Sequence, residues 1–579
     1  MEMVGSIQMN LPSKVIIGID FGTSGIAFAY GFLDDPDKKV YQGHFSGQGQ
    51  NAKIPSEIIL DNELKEVKAF GLDCSSYINQ NNSNEYNHFK KIKMHLYNKS
   101  YIIKSNNQGK EANIELIIRL MLIEIKKKVI EEIKQSYPQL VENNCRFVIT
   151  VPAIWDYKSK QVMLESAKNA KLFNEEDEIG TFFALEPEAA SIYYNKDSFS
   201  YANVIATGRP FILCDLGGGT VDIVVQKKIQ INNDIQFEEL YPPVGGNNGS
   251  NRINELFIDN VIKVLFGENT FNTVKNQIDL YVEWIKFEDE IEQFKKNTNF
   301  QINQEIRYYT INCEIFEDYS DGKSITSLIE EYNKKCKESW KIKQKRKWVL
   351  DFPYNIMNDL MDQILEDVLK YIKEIQQNIQ VKALVFSGGA SKSALMVNKI
   401  QNLDNIFLDY VKSHNPEVAI SLGSVHYAFQ RNIISIRKAK YTIGIGFEND
   451  WIEEYEGKGK KIEINGNFYC ENLFSKFITK NQNIPYDQVI RNYYFMDSPM
   501  IIIDLYKTNK DNPTFIDEKD DNGNLIVSKF GEIILDVKDK FDPNSKEVIV
   551  EMKFGGTFIS ISAKYVKNNE RVHSLFVLE

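Results

Sequence analysis

Lys14-VIIGIDFGTSGIAFAYGF and, later in the chain, Phe211-ILCDLGGGTVDIVVQKK are two copies of one pattern. Each is an apolar run ending in a carboxylate, then a glycine-bearing turn, then a second strand-like run, which is the pattern of a tight hairpin. Asp20 and Asp215, the two carboxylates, lie 195 residues apart. Repetition of a whole supersecondary unit at that distance predicts two related lobes with a cleft between them. One glycine-rich loop alone reads equally well as an ordinary β-turn. Two matched loops say more. Gly22 in one, and Gly217, Gly218 and Gly219 in the other, allow backbone N–H groups to turn inward on phosphate oxygens with no Cβ in the way. Thr23 and Thr220 add hydroxyls, hard oxygen groups suited to phosphate and to hydrated Mg²⁺.

Outward from the hairpins the chain alternates. Ile114, Ile117, Ile118, Met121, Leu122, Ile125, Val129 and Ile133 recur at helical spacing between Asn113 and Tyr137. Arg146-FVITVPA reads as a buried strand, Tyr157 to Leu172 as a helix, and Val381-KALVFSGGA as a strand running into a glycine turn. Helical patterns dominate Asn251 to Asn297 and Tyr354 to Gln377. Such alternation predicts α/β layers. From Tyr441 the texture changes to short alternating strands, as in Ile501-IIDLY and Glu547-VIVEMKF, which predicts an all-β unit.

At 579 residues the chain exceeds what one hydrophobic core can organise, so several subdomains are expected. A hydrophobic fraction of 43% with 26% charged residues is that of a globular protein. The net charge of -11 argues against a grip on a nucleic-acid backbone. Six scattered cysteines predict neither a zinc site nor a disulfide framework, and the histidines show no ligand spacing. Met1 to Pro12 lacks a secretory pattern and no apolar run reaches membrane-spanning length, so no membrane insertion and a cytoplasmic address are expected. The basic run Lys334 to Lys347 reads as a solvated insertion.

Five stretches, in order, resemble the heat shock protein 70 family, within the ATPase superfamily shared with actin and the sugar kinases. They are GIDFGTSGIAF from Gly18, VPAIWDYKSKQ from Val151, ALEPEAASIYY from Ala184, DLGGGTVDIVV from Asp215 and LVFSGGASKSALMVNKI from Leu384. Lesser matches are NAKIPSEIIL from Asn51, GGNNGSNRINELF from Gly245 and NPEVAISLGSVHYAF from Asn415. The resemblance covers nearly the whole chain. It implies a two-lobed actin-like ATPase fold of duplicated ribonuclease-H-like domains, followed by an all-β domain. The boundaries are 1–210 for lobe I, 211–437 for lobe II and 438–579 for the β-domain.

It further implies ATP or ADP with Mg²⁺ in the cleft. Asp20 and Asp215 would orient the metal through water, and Glu186, Thr23 and Thr220 would position the attacking water, helped by Asp222. Gly22, Ser24, Gly217, Gly218, Gly219, Gly245 and Gly246 would bind phosphate. Glu292, Lys295, Gly388, Gly389, Ala390 and Lys392 would hold the nucleoside. Lys90, Lys91 and Lys93 compete for the catalytic lysine, with Lys93 favoured.

Departures from the family pattern are equally plain. Lys160 stands where an arginine is usual and lacks its bidentate geometry; Ala390 and Lys392 replace a serine and an arginine at the adenosine loop. Ile433-ISIRKAKYTIGIGF replaces the acidic, leucine-rich linker, and the strand pattern runs to Glu579 without a helical lid, like the divergent 12A type of the family. A weakly ATP-hydrolysing chaperone with extended peptide clients and co-chaperones is the implied function. A nucleotide-binding scaffold and a small-molecule kinase are the alternatives.

Overall fold

The computed structural model describes residues 14–47, 52–172, 183–196, 201, 203–232, 234–298, 307–403, 406–412, 415–464 and 466–577. Met1 to Pro12, read above for a leader, lies outside the described residues.

Both hairpins form, and each is the centre of its own sheet. Val15–Phe21 pairs antiparallel with Gly25–Phe32 and parallel with Cys145–Val151, which pairs parallel with Phe183–Leu185. Pro210–Leu216 pairs antiparallel with Val221–Ile231 and parallel with Ala383–Ser387, which pairs parallel with Asp409–Lys412. A further antiparallel strand flanks each hairpin, Val40–Gln42 in the first and Asp234–Gly246 in the second. The central order is therefore the same in both sheets: two parallel strands, then the hairpin, then an antiparallel neighbour. Register repeats too, since Asp20 faces Ala27 where Asp215 faces Asp222. These strands read as continuous apolar runs because helices cover both faces.

Helices form where caps and apolar stripes agree. Asn113 accepts the Glu115 N–H at the start of Ile114–Ser136, and Asp156 accepts the Ser159 N–H at the start of Tyr157–Asn169. The second stops at Asn169 rather than Leu172, where Lys171 turns to positive φ. Two other helices, Glu186–Lys196 and Ala419–Phe429, lie between the sheets, in a core that draws Ile16 and Val148 from one and Leu213, Val224 and Val385 from the other. They cross closely: a Cβ on Gly423 would sit 1.8 Å from the Ala189 carbonyl oxygen, so only glycine fits.

From Thr442 onward the described residues are strands joined by turns and short 3-10 segments. A five-stranded and a four-stranded antiparallel sheet share a core that includes Ile445, Leu505, Ile533, Val550 and Ile561. The junction with the preceding part is not a free linker. Ile434–Lys438 extends the second sheet in parallel with Asp234–Gly246, and Asn483–Pro485 pairs on its other side. The strand crosses the expected boundary at residue 437, because its backbone groups are satisfied from both neighbours.

Arg437 anchors this junction. Its guanidinium grips both carboxylate oxygens of Glu188 (2.9 and 2.6 Å) and donates to the Gly555 carbonyl (2.5 Å), all out of solvent. Beside it, Thr557 donates to the Phe183 carbonyl (3.0 Å), and the Phe558 and Phe183 rings stack at 5.5 Å. Glu239 accepts the Lys438 N–H (2.9 Å), and burial pushes its carboxyl up to about 8, reinforced by the Glu188 charge.

The folded Glu239 thus holds a proton that the unfolded chain gives up near the ordinary glutamate range. Stability from this group is fully present below that range, and falls as pH rises toward 8. The slope is at most about 1.4 kcal/mol per pH unit. Glu239→Gln keeps the acceptor and removes the titration, so its stability should exceed wild type increasingly from pH 5 to 8. Chemical denaturation across that range checks this, and parallel curves would rule it out.

Part of the basic run forms a solvent-facing strand. Lys343–Arg346 is an edge of a three-stranded sheet with Val349–Pro353 and Tyr308–Asn312, and Trp340 donates its indole N–H to Asp359 (2.7 Å). Its lysines face outward from that small sheet because its apolar side closes on the core at Ile311, Ile342 and Leu350. Among the described residues no helix is long and apolar enough to cross a membrane.

Candidate functional site

The turns of the two hairpins close in the same way: the Gly22 N–H donates to Gly25 O (3.1 Å) and the Gly217 N–H to Thr220 O (3.0 Å). They also face each other. A Cβ on Gly219 would lie 2.5 Å from Thr23 Oγ1 and 2.2 Å from Met94 Sδ, so backbone is brought to the edge of the opposite turn with no side chain between. Ser24 Oγ completes the contact by accepting from Asn251 Nδ2 (3.1 Å), across 227 residues of chain.

Behind these turns lies a cavity of about 650 Å³, the size of a nucleotide-scale ligand site. Its wall includes Asp20, Gly22, Thr23 and Ser24 from the first turn, and Asp215, Gly217, Gly218, Gly219 and Thr220 from the second. Glu186 and Lys93 enter from the first sheet's side, and Glu292, Lys295, Gly388, Gly389, Ala390 and Lys392 complete the far end. Three expected residues do not reach the wall. Asp222 is fully buried behind Asp215, its partner in the hairpin register. Gly245 and Gly246 pair with Asp222 and Val221, and a Cβ on Gly245 would lie 2.0 Å from Val221 O. Gly245 thus serves close strand pairing behind the turn.

Among the competing lysines the three side chains part company. Lys93 is buried and its ammonium is hydrogen-bonded to Glu186; Lys90 pairs with Glu288; Lys91 sits at the helix start with φ of 57°. Lys53, unmarked in the sequence reading although it lies in NAKIPSEIIL, reaches the cavity and bonds Asp20 Oδ2 at 2.5 Å. Its closeness to Asp20 arises from pairing of Ile54–Pro55 with Gly25 and Ile26, which no local pattern of residues marks.

Charge is unevenly settled. Burial pushes Glu186 up to about 7, Asp20 and Asp222 adding to the rise and Lys93 opposing it. Asp215 lies well above the ordinary carboxylate range through burial and then the charges of Glu186, Asp222 and Asp20. Burial also raises Asp222, against the Ile154 N–H that it accepts at 3.1 Å. Burial lowers the Lys53 ammonium, but Asp20, Asp215 and Glu186 raise it by more. Asp215 Oδ1, on the cavity wall, is buried without a hydrogen-bond partner. Such uncompensated oxygen is the environment that a hydrated Mg²⁺ fits. At the far end Lys295 donates to Glu292 (2.6 Å) and to Ser250 O (3.1 Å), while Lys392 pairs with Glu417 (2.8 Å). Lys160 is buried, with Nζ 3.5 Å from Ala153 O.

Comparison with known proteins agrees in kind. Residues 206–383 match a family described as a domain of unknown function (DUF8340). The chain is 24% identical to heat shock 70 kDa protein 12A of Mus musculus over 96% of this chain and 90% of that protein. It is 23% identical to heat shock 70 kDa protein 12B of Homo sapiens, over 97% and 90% respectively. A shorter match, 28% identical over 24% of this chain and 20% of the relative, is to the chaperone protein DnaK of Stenotrophomonas maltophilia. The chain is thus similar to heat shock 70 proteins. Its whole-length likeness is to the 12A and 12B proteins.

Proposed function

We propose that this chain is an ATP-binding chaperone-type protein with weak ATPase activity, its nucleotide held between two actin-like lobes, 1–210 and 211–437, and coupled to a β-domain, 438–579. The observation that carries this reading is the meeting of two register-matched glycine turns, each with its carboxylate, on one cavity. The turns' backbone N–H groups and Thr23 and Thr220 bind phosphate. Lys295 and Glu292 hold the ribose, and the Gly388 to Lys392 loop flanks the base. Asp20 and Asp215 are the residues that would hold Mg²⁺, which would supply neutralisation of phosphate charge.

Glu186 orders the attacking water and accepts its proton, a role suited to a carboxyl near neutral pKa. Lys93 orients Glu186 and offsets charge on the transferred group. Phosphoryl transfer asks for little else, since positioning and charge compensation supply most of its catalysis. The β-domain is the peptide-binding part. Gln488–Phe495 lies at the edge of its sheet with Val489, Tyr493 and Phe495 exposed, which suits strand addition by an extended client. Co-chaperone partners and a cytoplasmic location belong to the same reading.

Glu186→Gln should keep nucleotide affinity within a factor of about three and slow turnover roughly 100-fold, because shape is kept and the base is lost. Steady-state phosphate release and equilibrium binding on the same preparations check it. Unchanged turnover would remove Glu186 from the mechanism. A second reading, a nucleotide-binding scaffold, rests on the ion pairs that hold Asp20 and Glu186, and wild-type turnover at background with intact binding would select it.

A further inference from the structure

The two carboxylates at the hairpin turns are not equivalent. Asp215 Oδ1 is buried with no donor, whereas Asp20 has a donor on each oxygen: Lys53 Nζ on Oδ2 at 2.5 Å and Thr150 Oγ1 on Oδ1 at 3.4 Å. Lys53 is held there by the fold. Pro55 and Ile54 pair with Gly25 and Ile26, and a Cβ on Gly25 would lie 3.0 Å from the Lys53 Cβ, so its stem starts against the first turn. The side chain is 24% exposed and lines the cavity, while Asp20 is 2% exposed. Lys93, the other ammonium at this end, is already engaged with Glu186. Among the described residues no group of three or more His, Cys, Asp or Glu side chains converges closely enough to ligate a metal directly.

We propose that Lys53 is a built-in cation of the phosphate end, supplying on the Asp20 side the charge that a divalent ion would otherwise supply, so that nucleotide binding by this chain depends only weakly on Mg²⁺. The inference rests on the nucleotide reading above. An ammonium has three donors, so the Asp20 bond leaves capacity for phosphate oxygens entering the cavity. Its flexible four-carbon stem lets it follow them, which a coordinated ion can also do but a guanidinium fork does less readily. In a site screened from water each unit of charge so placed counts for more than at a surface.

The test is equilibrium binding of ADP by the full chain, with Mg²⁺ and with EDTA. Wild type should lose less than roughly tenfold in affinity on chelation, Lys53→Thr roughly 100-fold or more, and Lys53→Arg, which keeps the cation, an intermediate amount. If wild type loses 100-fold or more, the proposal is overturned whether or not Lys53→Thr folds. An equal chelation loss in wild type and Lys53→Thr overturns it as well. Both results leave the nucleotide reading standing. No ADP binding by wild type even with Mg²⁺ is a different failure, since it removes the nucleotide reading itself.

Discussion

Asp215→Asn should raise the thermal stability of the nucleotide-free protein while lowering Mg²⁺-dependent ATP turnover about 100-fold. The two effects have opposite sign for one reason. Asp215 is buried among Asp20, Glu186 and Asp222, and its carboxyl is held well above the ordinary range. Without a bound cation its charge is a cost to the fold. The amide removes that cost and with it the charge that a hydrated metal needs. Because the folded pKa is raised, stability from this group is fully present below the ordinary aspartate range and declines as pH rises through and above it. The gain in Asp215→Asn should therefore be larger at pH 8 than at pH 5. Differential scanning calorimetry at both pH values, beside phosphate release, measures both halves. A parallel fall in stability and turnover would mean that Asp215 is a structural carboxylate.

The second large effect lies at the junction. Arg437→Met should cost roughly 3–5 kcal/mol, because it strands the Glu188 carboxylate without its partner in a dry interface. It also leaves the Gly555 carbonyl without the donor it has from Arg437. The double variant Arg437→Met with Glu188→Met removes both charges, so it should recover most of the loss. Denaturant unfolding of the three variants gives the coupling. Additive losses would show that the pair does not hold the junction. Glu188 stands two residues from Glu186 on one helix, so this bond also ties the β-sheets after Thr442 to the segment that carries the candidate base.

The repeated hairpins were legible because their information is local: a carboxylate, glycines and a hydroxyl at fixed spacing. The same holds for the helical spacing between Asn113 and Tyr137 and for the change of texture at Tyr441. What the residues alone left hidden depends on pairing between distant segments. Lys53 is one lysine among many until Ile54 pairs with Ile26. Arg437 lies in the stretch that replaces the acidic linker, yet Ile434–Lys438 is a sheet strand with neighbours on both sides. The choice among Lys90, Lys91 and Lys93 turned on a bend at Lys91 that sends adjacent side chains to different partners. Gly245 shows that a glycine can mark close strand packing as well as a phosphate turn.

Isothermal titration of ATP with Mg²⁺ into the purified chain asks whether the two matched turns close on one nucleotide. One saturable site per chain is the predicted result, with ADP competing for it. Absence of binding heat at several temperatures, with no ATP-dependent shift in thermal stability, would contradict it.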